Sequence, residues 1–185
     1  MAHRICPWWL GYWLISPLRR WSQNPAEILA PYIREGMTVL EAGPGMGFFT
    51  LELARLAGSS GRVIAVDIQP KMIDRLKSRA AKAGLLDQVT TRLASAESMG
   101  IQDLEGSVDF ILAFSVVHEF PDASRFFAET AATSKPGATL LLAEPRGHVK
   151  AAEFDSELQA AARAGFKIVD RPSIRRCQAA LLRKV

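Results

Sequence analysis

The spacing of apolar residues predicts strands that alternate with helices from residue 38 onward. Short apolar runs rich in β-branched residues are separated by longer runs with helical periodicity. This alternation is typical of an α/β fold, in which helices cover both faces of a mostly parallel sheet. Seven strands are predicted, at Thr38 to Ala42, Arg62 to Asp67, Val89 to Leu93, Val108 to Phe114, Ala138 to Glu144, Phe166 to Val169 and about Arg175 to Leu182.

The connections between these runs indicate how the strands pair. The helical patterns after the first, second and fourth strands are long enough to return the chain in parallel; they cover Phe48 to Leu56, Lys71 to Ala83 and Ala123 to Thr133. The last two strands are separated only by Asp170 to Ser173, which is too short for a crossover helix. We therefore expect these two strands to pair antiparallel.

Composition restricts the classes of protein to consider. The chain has 185 residues, of which 49% are hydrophobic and 23% charged, as in one soluble globular domain. A net charge of +4 without a dense basic run does not indicate a nucleic-acid partner. The two cysteines, Cys6 and Cys177, have the spacing of neither a disulfide framework nor a zinc site, so we expect a reducing cytoplasm and no metal. The apolar stretch from Cys6 to Leu18 is short for a membrane span and lacks a signal-peptide cleavage site.

A glycine-rich turn follows the first predicted strand. Its glycines, Gly43, Gly45 and Gly47, are spaced G-x-G-x-G, whereas dinucleotide-binding turns usually read G-x-G-x-x-G. Glu41 precedes the first glycine by two residues, and a carboxylate there would repel a pyrophosphate but attract a cationic amino-acid group. The turn is therefore predicted to bind a ligand without phosphates that carries a positive charge.

Asp67 ends the second predicted strand and is the candidate for binding a ribose. It lies 20 residues beyond Gly47 (67 minus 47), close to the spacing of roughly 20 at which an acidic residue accepts hydrogen bonds from a ribose diol. The alternative is that Asp67 only caps the following helix, since Asp is a good N-cap residue. The position of Asp67 relative to the glycine turn favours the ribose role.

These residues resemble a known family. Glu41-Ala42-Gly43-Pro44-Gly45-Met46-Gly47 with Asp67 looks like the first two motifs of class I S-adenosylmethionine (SAM)-dependent methyltransferases, and Ser95-Ala96-Glu97, Asp109 to Phe120 and Lys135 to Ala138 look like later ones. The resemblance implies a Rossmann-like sheet of seven strands, the last antiparallel, and SAM as cofactor. It places the cofactor on Glu41, Gly43, Gly45, Gly47, Asp67, Ile68, Ser95, Ala96, Glu97 and Phe114. Ser95 stands where many members have Asp, which weakens the expected contact with the adenine amino group.

Methyl transfer from a sulfonium needs alignment and, for some acceptors, removal of a proton. His118 and Glu119 follow the fourth strand and are the candidate catalytic residues, because imidazole is a base suited to neutral pH. The alternative is that His118 only packs near the cofactor while alignment alone drives the reaction. Glu144 either binds a substrate cation or hydroxyl, or pairs with Arg146 at the surface.

Residues 1 to 35 are predicted to form a helical extension to a SAM-binding domain at 36 to 185. The extension contains Trp8, Trp9, Trp13 and Trp21, and is too apolar to remain in water. We favour a lid over the substrate pocket; the alternatives are a structural or dimer cover and a peripheral membrane contact with Arg19 and Arg20 at the headgroups.

The function predicted from sequence is SAM-dependent methylation of a small, partly apolar molecule. Two other functions stay open: a SAM-binding protein without chemistry, and, less favoured, an NAD-dependent oxidoreductase. The chain lacks the Asn-Pro-Pro-aromatic tetrad of amide- and adenine-methylating types, and its two cysteines do not supply the several thiols expected for arsenite methylation.

Overall fold

The computed structural model describes Arg19 and residues 22–185. Within these residues the strands form one seven-stranded sheet in the order β3-β2-β1-β4-β5-β7-β6. β7 is antiparallel to both of its neighbours, β5 and β6. The predicted α/β fold with an antiparallel last strand is thus confirmed.

The described strands and helices have the following bounds. The strands are β1 Thr38–Ala42, β2 Arg62–Asp67, β3 Val89–Leu93, β4 Val108–Phe114, β5 Ser134–Pro145, β6 Phe166–Asp170 and β7 Cys177–Lys184. The α-helices are α1 Pro25–Leu29, α2 Thr50–Ala57, α3 Pro70–Lys82, α4 Ala123–Thr133 and α5 Ala151–Arg163. Short 3-10 turns cover Leu86–Gln88, Gln102–Leu104 and Val117–Glu119. None of the described helices is both long enough and apolar enough to cross a bilayer.

The described residues up to Gly100 form a first compact unit. In it β1, β2 and β3 pair in parallel, with Glu41 opposite Ala65 and Asp67 opposite Leu93. The interior of β2 is buried, as its continuous apolar run predicts. Helix α3 buries one apolar stripe, Met72, Ile73, Leu76 and Ala80. This packing holds the carboxyl ends of β1 and β2 in fixed register.

Residues 101–185 form the second compact unit. β4 pairs in parallel with β5, and β7 lies antiparallel between β5 and β6. Two fully buried rings of helix α4, Phe126 and Phe127, pack edge to face with centroids 5.1 Å apart. Helix α5 buries Phe154 and Leu158, which lie one turn apart on the same face.

Several predicted bounds shift by one or two residues, as in β7, which covers Cys177–Lys184 and not about Arg175 to Leu182. Helix α2 begins at Thr50 and not at Phe48, because residues 43–49 continue as turns. β5 begins at Ser134, ahead of the predicted Ala138. Helix α5 was not predicted, because its many alanines leave no clear contrast between an apolar and a polar face. At the start of this helix Glu153 Oε2 accepts a hydrogen bond from Lys150 N at 2.8 Å.

Candidate functional site

The glycine turn lies between β1 and α2 in the first unit. At Gly45, where φ is +55°, a Cβ would meet no atom of the described residues within 4 Å, so none of these residues fills the space beside the backbone. At Gly47, where φ is +81°, a Cβ would collide with Leu76 Cδ1 of helix α3. Gly47 is therefore required for close packing, whereas Gly45 leaves room for a ligand to approach the backbone.

Two interactions from neighbouring elements hold this turn in place. Gly43 N donates a hydrogen bond to Val66 O of β2 at 2.9 Å. Arg79 of helix α3 donates from Nη1 to Met46 O in the middle of the turn. Arg79 was not identified from the sequence, since a helical arginine pattern alone gives no sign of a carbonyl partner 33 residues away. The backbone of the turn is thus fixed in advance of any ligand.

Asp67 is buried at the end of β2 and links this strand to the glycine turn. Its Oδ2 accepts a hydrogen bond from Gly45 N at 3.1 Å, and its Oδ1 accepts one from Gln69 N at 2.9 Å. Burial raises the pKa of Asp67, and these two N–H groups, that of Gln69 first, offset part of the rise. A carboxylate has about four acceptor positions, so each oxygen retains capacity for a further donor such as a hydroxyl.

Glu41 is 3% exposed and lies in β1 next to the turn. Burial raises its pKa to about 8; Thr50 lowers it in part, the charge of Asp67 raises it further, and Arg19 lowers it. Although the Thr50 hydroxyl approaches the carboxyl group, neither Glu41 Oε2 nor Thr50 Oγ1 completes a hydrogen bond within the described part of the chain. A buried carboxyl oxygen without a donor is unfavourable, and a cationic N–H ligand would satisfy it.

The carboxyl ends of β2 and β3 expose apolar side chains. Ile68, which follows β2, is 38% exposed, and Leu93, which ends β3, is 57% exposed. The segment after β3 is a tight turn, in which Ser95 Oγ accepts hydrogen bonds from Glu97 N and Ser98 N, both at 3.1 Å. Ser95 thus already has a structural role, while Ala96 and Glu97 are exposed. Leu93 was missed in the sequence analysis, because a strand-end leucine has no motif of its own.

The second unit contains a buried cluster centred on Glu144 of β5. Glu144 is fully buried, and its Oε1 accepts hydrogen bonds from Val116 N at 3.3 Å and Val117 N at 2.7 Å. Its Oε2 lies 2.6 Å from His118 Nδ1, and the His118 side chain is 25% exposed. Glu144 therefore fixes both the backbone of the turn after β4 and the ring of His118.

Three acidic side chains influence His118. Burial of the ring is the largest single influence, and it lowers the pKa of His118. The hydrogen bond to Glu144, the charge of Glu144 and then the charges of Glu119 and Glu157 raise this pKa, and together they outweigh burial. The pKa of His118 is consequently raised. Glu157 of α5 is itself buried, and burial followed by the charge of Glu144 raises its pKa to about 8. Its Oε2 has no hydrogen-bond partner among the described residues.

The structure corrects one prediction about this cluster. Glu144 does not pair with Arg146 at the surface, because Glu144 is fully buried while Arg146 Nε donates to Cys177 O at 3.0 Å. The carboxylate bonded to His118 is Glu144, 26 residues away in sequence, and the part of the adjacent Glu119 stays a prediction. Phe114 is buried at the end of β4. The predicted lid, Trp8 to Trp13, lies outside the described residues.

Comparison with known families identifies the class of protein. The family described as "Methyltransferase domain" matches residues 33–175, well over half of the chain. The chain therefore belongs to this family, and its fold is the Rossmann-like fold of class I SAM-dependent methyltransferases. The matched residues include the glycine turn, Asp67 and the Glu144 cluster.

Curated relatives share about three residues in ten with this chain. An arsenite methyltransferase from Halobacterium salinarum is 31% identical over 136 residues, covering 74% of this chain and 33% of the relative. The ubiquinone/menaquinone biosynthesis C-methyltransferase UbiE from Marinomonas sp. is 31% identical over 112 residues, covering 60% and 44%. The chain spans less than half the length of these two relatives.

Solved structures of the same fold are more distant in sequence. A SAM-dependent methyltransferase from Aquifex aeolicus superposes with a TM-score of 0.86 at 23% identity, covering 98% of this chain and 100% of that one. A second structure, described as a putative SAM-dependent methyltransferase from Methanococcus maripaludis, gives a TM-score of 0.76 at 14% identity, covering 100% and 97%. At these identities the likeness concerns the fold.

Proposed function

We propose that the protein is an enzyme that transfers a methyl group from SAM to a small, partly apolar molecule. The observation that carries the proposal is Glu41 Oε2, a buried carboxyl oxygen that has no donor in the described part of the chain and lies beside an open glycine turn. The ammonium group of a methionine moiety would supply the missing donor and a compensating charge.

The remaining residues of the first unit fit the other parts of this cofactor. Asp67 has acceptor capacity for the ribose hydroxyls, and Gly45 lets the backbone approach the ligand closely. The exposed apolar side chains of Ile68 and Leu93 suit the faces of an adenine ring. The exposed backbone at Ala96 and the side chain of Glu97 are proposed to contact the adenine edge, since Ser95 Oγ is engaged within its own turn.

When bound, SAM supplies an electrophilic methyl group on a positively charged sulfur. The chain's own residues then align the acceptor, exclude water and, where the acceptor carries a proton, remove it. His118 and Glu119 of the second unit are proposed for this proton removal, and the hydrogen bond from His118 to buried Glu144 supports the part of His118.

Several observations support SAM over a pyrophosphate-containing nucleotide such as NAD. Glu41 and Asp67 place two carboxyl groups around the turn. Pyrophosphate offers no donor to the unpaired oxygen of Glu41, and its negative charge would oppose the ionisation of both carboxyl groups. The names of the relatives, arsenite and quinone-pathway methyltransferases, support a small acceptor. A SAM-binding protein without catalysis is the second candidate. The observation that favours it is the contact between His118 Nδ1 and buried Glu144, which also fits a purely structural role for His118 in fixing the turn after β4.

Calorimetry and a transfer assay test this proposal together. We expect S-adenosylhomocysteine and SAM to bind in the micromolar range at pH 7.5, and NAD to bind at least about 100-fold more weakly. Incubation with methyl-labelled SAM and a pool of small phenols, amines and carboxylic acids is expected to give labelled product. Tighter binding of NAD than of SAM would refute the assignment, and SAM binding without any labelled product would favour the non-catalytic alternative.

A further inference from the structure

A buried carboxylate and a partly exposed histidine form a pair in the second unit. We infer that Glu144 is a positioning residue, which keeps the proton of neutral His118 on Nδ1. This inference rests on the proposed methyl transfer. In that reaction Nε2 of His118 takes the proton from an acceptor with an acidic hydroxyl group, a phenol or an enol. The pairing is given by the 2.6 Å distance between His118 Nδ1 and Glu144 Oε2.

The hydrogen-bond pattern of Glu144 determines which ring nitrogen carries the proton. A carboxylate is only an acceptor, so the 2.6 Å contact requires a proton on Nδ1. The other oxygen of Glu144 already accepts from two backbone N–H groups, those of Val116 and Val117. In neutral His118 the lone pair is then on Nε2, and proton uptake by the ring occurs at that atom.

The same carboxylate positions the backbone that carries His118. Ser115 has φ of +56°, a left-handed conformation that is unfavourable for a residue with a Cβ. Its N–H donates to Ala143 O of β5 at 2.7 Å, and the next two N–H groups donate to Glu144. Four consecutive residues after β4 are therefore held against the end of β5, and strained backbone of this kind is characteristic of functional sites.

Among the described residues, titratable groups from three elements lie near His118. Its own 3-10 turn contributes Glu119, and helix α5 contributes Glu157, which is coupled in turn to Glu153. The loop after β5 contributes His148, whose ring centroid is 6.3 Å from that of His118. The carboxyl groups stabilise the protonated imidazole, so that His118 is a stronger base than an isolated histidine.

This base suits one class of acceptor. With SAM bound, the O–H bond of the acceptor would break and its proton would go to Nε2. An electron pair of the resulting anion, on oxygen or, in an enolate, on the conjugated carbon, would form the new bond to the methyl carbon. The bond between the methyl carbon and sulfur would break, and its electron pair would stay on the sulfur of S-adenosylhomocysteine. Neutral amines and thioethers attack through an existing lone pair and do not need the base, while aliphatic alcohols hold their proton too tightly for imidazole. Phenols and enols are acidic enough to transfer it.

Nitrogen NMR of the imidazole tests the positioning role without any ligand. In ¹⁵N-labelled protein, with His118 assigned by comparison with His118→Gln, the neutral ring is expected to show a protonated Nδ1 and an unprotonated Nε2. Glu144→Gln is expected to lower the pKa of His118 by at least about one unit and to mix the two tautomers. Glu157→Gln, the matched control on α5, is expected to lower it less and to leave the tautomer unchanged.

Predominance of the Nε2–H tautomer in the wild type would overturn the inference, whether or not Glu144→Gln folds. An unchanged tautomer and pKa in folded Glu144→Gln would also overturn it. Because no cofactor is present, this result is separate from the proposed function: failure of SAM to bind refutes the function alone, and a wrong tautomer refutes the inference alone.

Kinetics with phenols of graded acidity test the acceptor class. With SAM and phenol, 4-chlorophenol or 4-nitrophenol, wild-type kcat is expected to rise with pH through the pKa of His118. Glu144→Gln is expected to reduce kcat at pH 7.5 at least about tenfold while the KM for SAM changes less than about twofold. Methylation of a tertiary amine but of no phenol, or an unchanged kcat in Glu144→Gln, would contradict the acceptor class and the role of Glu144.

Discussion

Two glutamates lie near the carboxyl ends of buried strands, one in each compact unit, and they differ in their donors. Glu144 of β5 is fully buried, and three donors reach its two oxygens. Glu41 of β1 is 3% exposed, yet its Oε2 has no donor within the described residues. Burial alone thus does not assign a role. Glu144, whose oxygens have donors, organises the turn after β4, whereas Glu41, whose Oε2 lacks one and which lies beside the glycine turn, is proposed to receive a ligand.

The largest expected effect comes from changing Glu41 to glutamine. Burial raises the pKa of Glu41 to about 8 in the folded state from 4.5, so the folded protein retains a proton that the unfolded chain loses. This contribution to stability is fully present below about pH 4.5 and is lost as the pH rises through about 8. Each unit of pKa difference corresponds to about 1.4 kcal/mol. Relative to wild type, the free energy of unfolding of Glu41→Gln should therefore rise by on the order of 4 kcal/mol between pH 4.5 and pH 8.5.

Glu144→Gln should have the opposite sign. The side-chain amide of glutamine has an N–H₂ group, which would face the donors of Val116, Val117 and His118. Because two donors cannot form a hydrogen bond, we expect the free energy of unfolding to fall by about 2 kcal/mol at pH 7. Urea unfolding of both variants and wild type at several pH values measures these differences. Destabilisation by Glu41→Gln at pH 8.5, or no loss with Glu144→Gln, would remove the distinction between the two carboxyl groups.

Gly45→Ala should abolish most cofactor affinity and also cost about 1 kcal/mol of folding stability, because a φ of +55° is unfavourable for a residue with a Cβ. A Cβ at Gly45 would meet no atom within 4 Å in the part of the chain that the structure describes, but it would occupy the space proposed for the ligand. Overpacking of this kind costs about 3 kcal/mol, which corresponds to about 100-fold in affinity. Gly100→Ala is the matched control, since its φ is +66° and its surroundings are also open. Equal binding by both variants, measured by calorimetry with S-adenosylhomocysteine, would contradict the proposed ligand position.

Asp67→Asn should weaken cofactor binding by about 2 kcal/mol, or about 30-fold, because hydrogen bonds to a charged acceptor are lost. Asp74→Asn, an exposed aspartate on helix α3 of the same unit, serves as control and is expected to bind normally. Adenosine and 2′-deoxyadenosine should differ in affinity for wild type but not for Asp67→Asn. A persistent difference in the variant would assign ribose recognition to another residue.

Ser95→Ala should have the smallest effect. Its hydroxyl accepts hydrogen bonds from Glu97 N and Ser98 N, so we expect a loss of about 1 kcal/mol of unfolding free energy. The affinity for S-adenosylhomocysteine should change less than about threefold, because the proposed adenine contacts come from Ala96 and Glu97. A larger loss of affinity, measured by titration, would mean that Ser95 contacts the adenine itself.

Most of the fold and half of the site could be predicted from sequence, for physical reasons. The strands up to β4 and the glycine turn depend on local patterns, namely continuous apolar runs and residues that permit positive φ. The Glu144 cluster depends on tertiary contacts across 26 to 28 residues, and nothing near Glu144 in sequence reveals its three donors. Helix α5 was not predicted because alanine can pack against the core without producing a clear apolar periodicity in the sequence. Glu157, which lies on this helix, was therefore not identified either.

The proposed role of Glu41 also makes a prediction about protons. At pH 7 a carboxyl group with a pKa of about 8 is mostly protonated, and a cationic ammonium group binds well only to its ionised form. Ligand binding should therefore displace the proton from Glu41. Burial also raises the pKa of the neighbouring Asp67, which could therefore release a proton too. Comparison with Glu41→Gln separates the proton of Glu41 from that of Asp67.

Calorimetric titration of S-adenosylhomocysteine at pH 7, in buffers that differ in ionisation enthalpy, measures this proton directly. We expect the wild type to release close to one proton per ligand bound, and Glu41→Gln to release clearly less. Binding with no proton release, or with the same release in wild type and Glu41→Gln, would contradict the claim that Glu41 receives the ammonium group.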